Sequence, residues 1–157
     1  MAIALAKPPA KPAAKPTRRA PAPIERLIAR VPAALPQVPY RRELAERVQF
    51  LLDALREEEG PDATISRDSL AGLVAFLAAH PTLRRPSLTA SDEGILVAEW
   101  RASARQQLVV RYLSPTQVRY ALFVPEGDGM SCHHGTASPT ALLRLLTVTG
   151  ADVWCRA

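Results

Sequence analysis

After Lys15 this chain contains no lysine; Lys7, Lys11 and Lys15 all fall in an opening tail of Ala and Pro. Cysteine is nearly as scarce. Cys132 and Cys155 are 2 thiols in 157 residues, too few for the disulfide framework of a small secreted scaffold. Aromatic residues make up 5%, and the RNP-type signature of sheet RNA binders is missing. No stretch approaches eighteen consecutive apolar residues, so no membrane-spanning helix is expected. The short apolar run of the opening MAIALAKPPAKP ends in Lys-Pro, unlike a secretory signal, and a cytoplasmic protein is expected. Gly-x-Ser-x-Gly, H-E-x-x-H and a phosphate-cradling loop are also absent. Gly127-Asp128-Gly129 is too short for such a loop and reads as a tight turn. The expectation is a protein without enzymatic activity and without a cofactor.

What is present divides the chain electrically. Lys7, Lys11, Lys15, Arg18 and Arg19 face no acid within residues 1–23, and their charge equals the whole formal surplus of +5. Residues 24–157 therefore balance, although the sequence pI is about 9.8. The K-P-x-A/P cadence of residues 7–23 favours extended backbone with nothing to bury, a disordered arm. Residues 24–38 read as a Pro-rich linker or short helix through Ile24, Leu27, Ile28 and Val31, broken by Pro32, Pro36 and Pro39. Residues 39–157 form a single domain, long enough to fold without disulfides.

Periodicity places a helix over about Pro39–Glu59, with Leu44, Val48, Leu51, Leu52 and Leu55 on one face. Gly60-Pro61 stops it. A second helix runs from Ser66 or Asp68 to Ala79 with Leu70, Leu73, Val74 and Leu77 as its stripe. His80 then sits where a helix C-terminus favours a cation. The period shortens next: residues 94–101, 107–113 and 117–124 are strand-length runs joined by short turns, and 86–90 adds a short fourth. After Pro125 a Gly-rich loop is expected through Gly135, then a helix capped by Ser138 with Pro139 in its first turn. Residues 148–157 are left as a docked strand or a frayed end. The fold class is α+β: an antiparallel three- to four-stranded meander packed against two to three helices.

Leu70–Val124 resembles a diffuse group of small bacterial proteins of unknown function. The likeness lies in Pro86, Glu93-Gly94, Ile95, Val97, Glu99-Trp100, Leu108, Val110 and Tyr120. Where that group commonly has a tryptophan before the second helix, this chain has Pro61-Asp62-Ala63. The resemblance implies an accessory protein of mobile-element or toxin–antitoxin neighbourhoods, antitoxin-like or a complex subunit, with no catalytic residues to carry over.

Three sets of side chains are candidates for function. Three helices supply more apolar face than a small sheet covers, so Leu44, Val48, Leu51 and Leu55, with Trp100, Arg111 and Arg119 on the strands, are expected to bind a protein partner. Surplus apolar surface is equally compatible with a homodimer. Lys7, Lys11, Lys15, Arg18 and Arg19, with an Arg/aromatic sheet face, form the alternative, a nucleic-acid surface. Cys132, His133, His134 and Cys155 are the donors from which a zinc site would be built, but consecutive strand residues point to opposite faces. A Cys132 nucleophile would be served by His133, with Glu99 or Asp128 as its orienting carboxylate; adjacent side chains diverge on a strand but need not in the Gly-rich loop expected here.

Overall fold

The change of hydrophobic period near Pro86 separates a helical half from a sheet half. The computed structural model describes Pro9 and residues 22–156; the expected arm and its five cations lie outside the described residues. The first helices are α1 (Ile24–Ala34), α2 (Arg41–Glu59) and α3 (Arg67–Ala79). The sheet comprises β1 (Ser87–Ala90), β2 (Leu96–Ser103), β3 (Gln106–Ser114), β4 (Gln117–Glu126) and β5 (Gly129–Ala137). Two helices close the fold, α4 (Pro139–Thr149) and α5 (Ala151–Arg156). All strand pairs are antiparallel in the order β1-β2-β3-β4-β5, an open meander. No described helix is long and apolar enough to cross a membrane.

Of the linker and the short helix open to residues 24–38, the helix forms, over Ile24–Ala34, and Pro32 does not break it. Helix α1 runs through Pro32, whose missing N–H falls in the last turn, and Leu35 N–H bonds back to Val31 O. Ile24, Ile28, Val31, Leu35 and Val38 are all buried in the common core. An ion pair from Arg56 of α2 to Glu25 (2.7 Å) joins α1 to its neighbour. The α2 stripe is thereby covered from within: Leu44, Val48, Leu52 and Leu55 are buried and Leu51 is half-buried.

Helix α3 lies directly on the sheet. Ser66 caps it by accepting the Ser69 N–H, and the buried Ser69 hydroxyl accepts the Leu96 N–H at 2.8 Å. Phe76 meets the rings of Trp100 and Tyr112 in tilted contacts. The Trp100 indole N–H donates to Arg84 O (2.8 Å), and the Tyr40 hydroxyl donates to Leu83 O (2.9 Å). These bonds lock the loop before β1 against α2 and β2. Gly72 permits the close approach of α3 to β3, since a Cβ there would stand 2.6 Å from the Ser114 carbonyl oxygen.

The sheet exceeds the expected three to four strands because residues 129–137 pair with β4 instead of looping. A two-residue turn, Gly127-Asp128, joins β4 to β5, with Gly127 at φ +56 and Glu126 opposite Gly129. Glycine with positive φ at the first turn position suits the twist of a hairpin. Residues 151–156 are helix α5, not a strand, held by the buried Ala151 and Cys155 and by Arg84 N–H donating to Cys155 O. His80 caps α3 against Phe76, and burial, then Arg156, holds its imidazole below the usual range. The expected cation at this helix end is thus disfavoured.

Candidate binding interface

Strand alternation sorts the sheet into two unlike faces. Leu96, Ala98, Trp100, Leu108, Val110, Tyr112, Val118 and Leu122 point to the helices and are buried. Their neighbours point away, and no described helix packs over them. On that open face the register builds three rows. Thr89, Val97, Arg111, Arg119 and Thr136 form one row across all five strands. Ser87, Glu99, Val109, Ala121 and His134 form the next, and Arg101, Gln107, Phe123 and Cys132 the third.

The middle of this face is apolar and half-buried: Val97, Val109, Ala121 and Phe123. Charge is distributed unevenly around it. Glu99 receives hydrogen bonds from Arg101 Nε and Gln107 Nε2, both at 3.0 Å, so its carboxylate is satisfied. Arg111 and Arg119 stand directly opposite each other on β3 and β4. Among the described residues neither has a carboxylate partner. Directly opposed like charges destabilise a strand pair. The Arg111 Nε is also shielded from solvent and has no hydrogen-bond acceptor. With His134 and Thr136 the two arginines line a depression of about 310 Å³.

The expected partner-binding set is divided by this geometry. Arg111 and Arg119 come together on the open face. Leu44, Val48, Leu55 and Trp100 are inside the core, where no partner reaches them, and Leu51 packs against it. Trp100 faces the helices because it alternates with Glu99 and Arg101. Tyr120 packs against the core, so the Arg/aromatic platform is reduced to Phe123. Lys7, Lys11, Lys15, Arg18 and Arg19 lie outside the described residues.

The Cys/His donors separate as well. Cys132 and His134 face outward on β5, whereas His133 pairs with Leu122 on the helix side and lies 3.4 Å from the Ser131 hydroxyl. Cys155 is buried in α5, where burial pushes its thiol up to about 12. That buried thiol is remote from the outward-facing Cys132 and His134 in the fold, on α5 rather than on the sheet. Both cysteines are free, and among the described residues no three His, Cys, Asp or Glu side chains converge. No protein family, curated protein or solved structure matches this chain.

Patterning alone leaves His134 and Thr136 out of the face, because residues 129–137 read as loop. A hairpin register started at Gly127-Asp128 would have placed both beside Arg119.

Proposed function

We propose that this chain is a small non-enzymatic accessory protein that binds a protein partner on the open face of its sheet. The observation that carries this reading is a five-stranded sheet with described helices on one side only. The other side has an apolar middle, Val97, Val109, Ala121 and Phe123, bordered by arginines. Interface centres favour aromatic side chains and arginine and are depleted in lysine and acids. Contact through the helix stripe is not retained, since α1 and the core take up Leu44, Val48 and Leu55. The low cysteine content supports a reducing, cytoplasmic setting. A non-enzymatic role is supported by the divergence of Cys132 from His133 and by the burial of Cys155.

The test is capture from the native host with tagged wild-type chain, Phe123→Glu, and Phe50→Ser as a surface control on α2, where Phe50 is 59% exposed. A stoichiometric protein that survives nuclease, is retained by Phe50→Ser and is lost with a folded Phe123→Glu supports the reading. Retention by Phe123→Glu overturns it. A second reading, nucleic acid on the same face, is favoured by the unneutralised Arg111–Arg119 pair. It requires capture that disappears with nuclease.

A further inference from the structure

A guanidinium nitrogen withdrawn from water without an acceptor is costly, because the lost hydration is not replaced. Arg111 Nε is in that state, and Arg119 directly opposite adds repulsion. The same face shows the ordinary remedy two residues along β2, where Glu99 accepts from Arg101. Nothing equivalent serves the Arg111–Arg119 pair: Glu99, diagonal to Arg111, is taken up by Arg101 and Gln107, and the other neighbours are Val97, Val109, Ala121, His134 and Thr136.

We infer that Arg111, Arg119, Thr136 and His134 form a binding site for a phosphate monoester. A carboxylate matches one guanidinium fork, whereas a tetrahedral dianion offers enough oxygens to engage two forks at once. The Thr136 hydroxyl, opposite Arg119, is a further donor at the rim. The depression of about 310 Å³ is at the small end of ligand pockets, sized for a compact headgroup. It opens on the bare sheet face, so the phosphate is accessible either as a free small molecule or on the phosphorylated side chain of a bound protein. The inference rests on the open face being the contact surface, but the site itself needs no partner to be filled.

The experiment is a titration of the ¹⁵N-labelled full chain, followed by amide shifts at constant ionic strength. The probes are inorganic phosphate, a phosphoserine peptide, its unphosphorylated form, and a single-stranded oligonucleotide lacking terminal phosphate. Saturable shifts around Arg111, Arg119, Ala121, His134 and Thr136 are expected with inorganic phosphate and the phosphoserine peptide. Arg111→Gln and Arg119→Gln should each weaken binding about tenfold or more while the fold is retained. Tighter binding of the phosphopeptide than of phosphate identifies a protein-borne group; equal binding identifies a free one. Non-saturating shifts, or affinity unchanged in both Gln variants, overturn the site. Equal binding of the oligonucleotide at these residues replaces it with a nucleic-acid surface. Because purified chain is used, failure here leaves the Phe123→Glu capture result standing, and failure there leaves this site intact.

Discussion

Gly72→Ala offers the sharpest check on how the helices meet the sheet, because local propensity and tertiary packing predict opposite signs. In the interior of α3, alanine is intrinsically better than glycine by about 1 kcal/mol. The added Cβ, however, would stand 2.6 Å from Ser114 O and 2.9 Å from Ser114 C. Both are backbone atoms of β3 and cannot rotate aside as a side chain would. Overpacking of this kind costs about 1–3 kcal/mol and forces the helix away from the strand. Because both contacts are to backbone, the cost lies in the upper part of that range, about 2–3 kcal/mol, and after the propensity gain of about 1 kcal/mol the variant should be about 1–2 kcal/mol less stable. For a domain of this size that lowers the thermal midpoint by roughly 3–8 °C. Ala75→Gly, exposed on the same helix, calibrates the propensity term and should cost about 1 kcal/mol. Urea unfolding of the three proteins reads both effects. A Gly72→Ala protein as stable as wild type, or more so, would falsify the packing of α3 on β3 that assigns one face of the sheet to the core.

Tyr112 is wholly buried with no partner for its hydroxyl, and burial pushes its phenol well above the usual range. Tyr112→Phe should therefore leave stability unchanged or raise it by up to about 1 kcal/mol, whereas a loss in chemical denaturation would point to an unseen partner for the hydroxyl. Burial, and secondarily Arg156, lowers the pKa of His80, so the unfolded chain binds a proton more readily than the folded one. Stability must then fall as pH drops below the ordinary histidine value of about 6.5, and His80→Gln should flatten the change in urea midpoint between about pH 7.5 and about pH 5.5; an equal slope in both proteins refutes the assignment.

The helix stripes of α2 and α3 were legible because each repeats apolar residues every three or four positions between clear stop signals. The pairing of β2, β3 and β4 was legible for a related reason, since short polar turns force neighbouring antiparallel strands. Strand β5 was not. Gly129, Ser131, Gly135 and Thr136 lack the branched apolar alternation of a half-buried strand, and the hydrogen bonds to β4 decide its form. Helix α5 is six residues long and carries too few positions to show a period. The error over α2 came from arithmetic on surface. Weighing three helical faces against a three- to four-stranded sheet leaves Leu44, Val48 and Leu55 uncovered. Once Ile24, Ile28 and Val31 are added to the core, the apolar surplus on that side disappears.

The surface proposed for recognition is accordingly the open face of the sheet, and its chemistry differs. A helix stripe would have bound through leucines, by area alone. The open sheet face combines a small apolar centre with two arginines that form no ion pair among the described residues. A surface kept merely soluble would be expected to alternate signs, as Arg101 and Glu99 do one row away. At Arg111 and Arg119 the alternation stops, at a cost in stability that ordinary solvation does not require. Unneutralised cations beside half-buried apolar side chains select against apolar or cationic surfaces and for a partner that brings its own negative charge. On the proposed reading, specificity at this face would reside in the two arginines, with Val109, Ala121 and Phe123 supplying contact area around them.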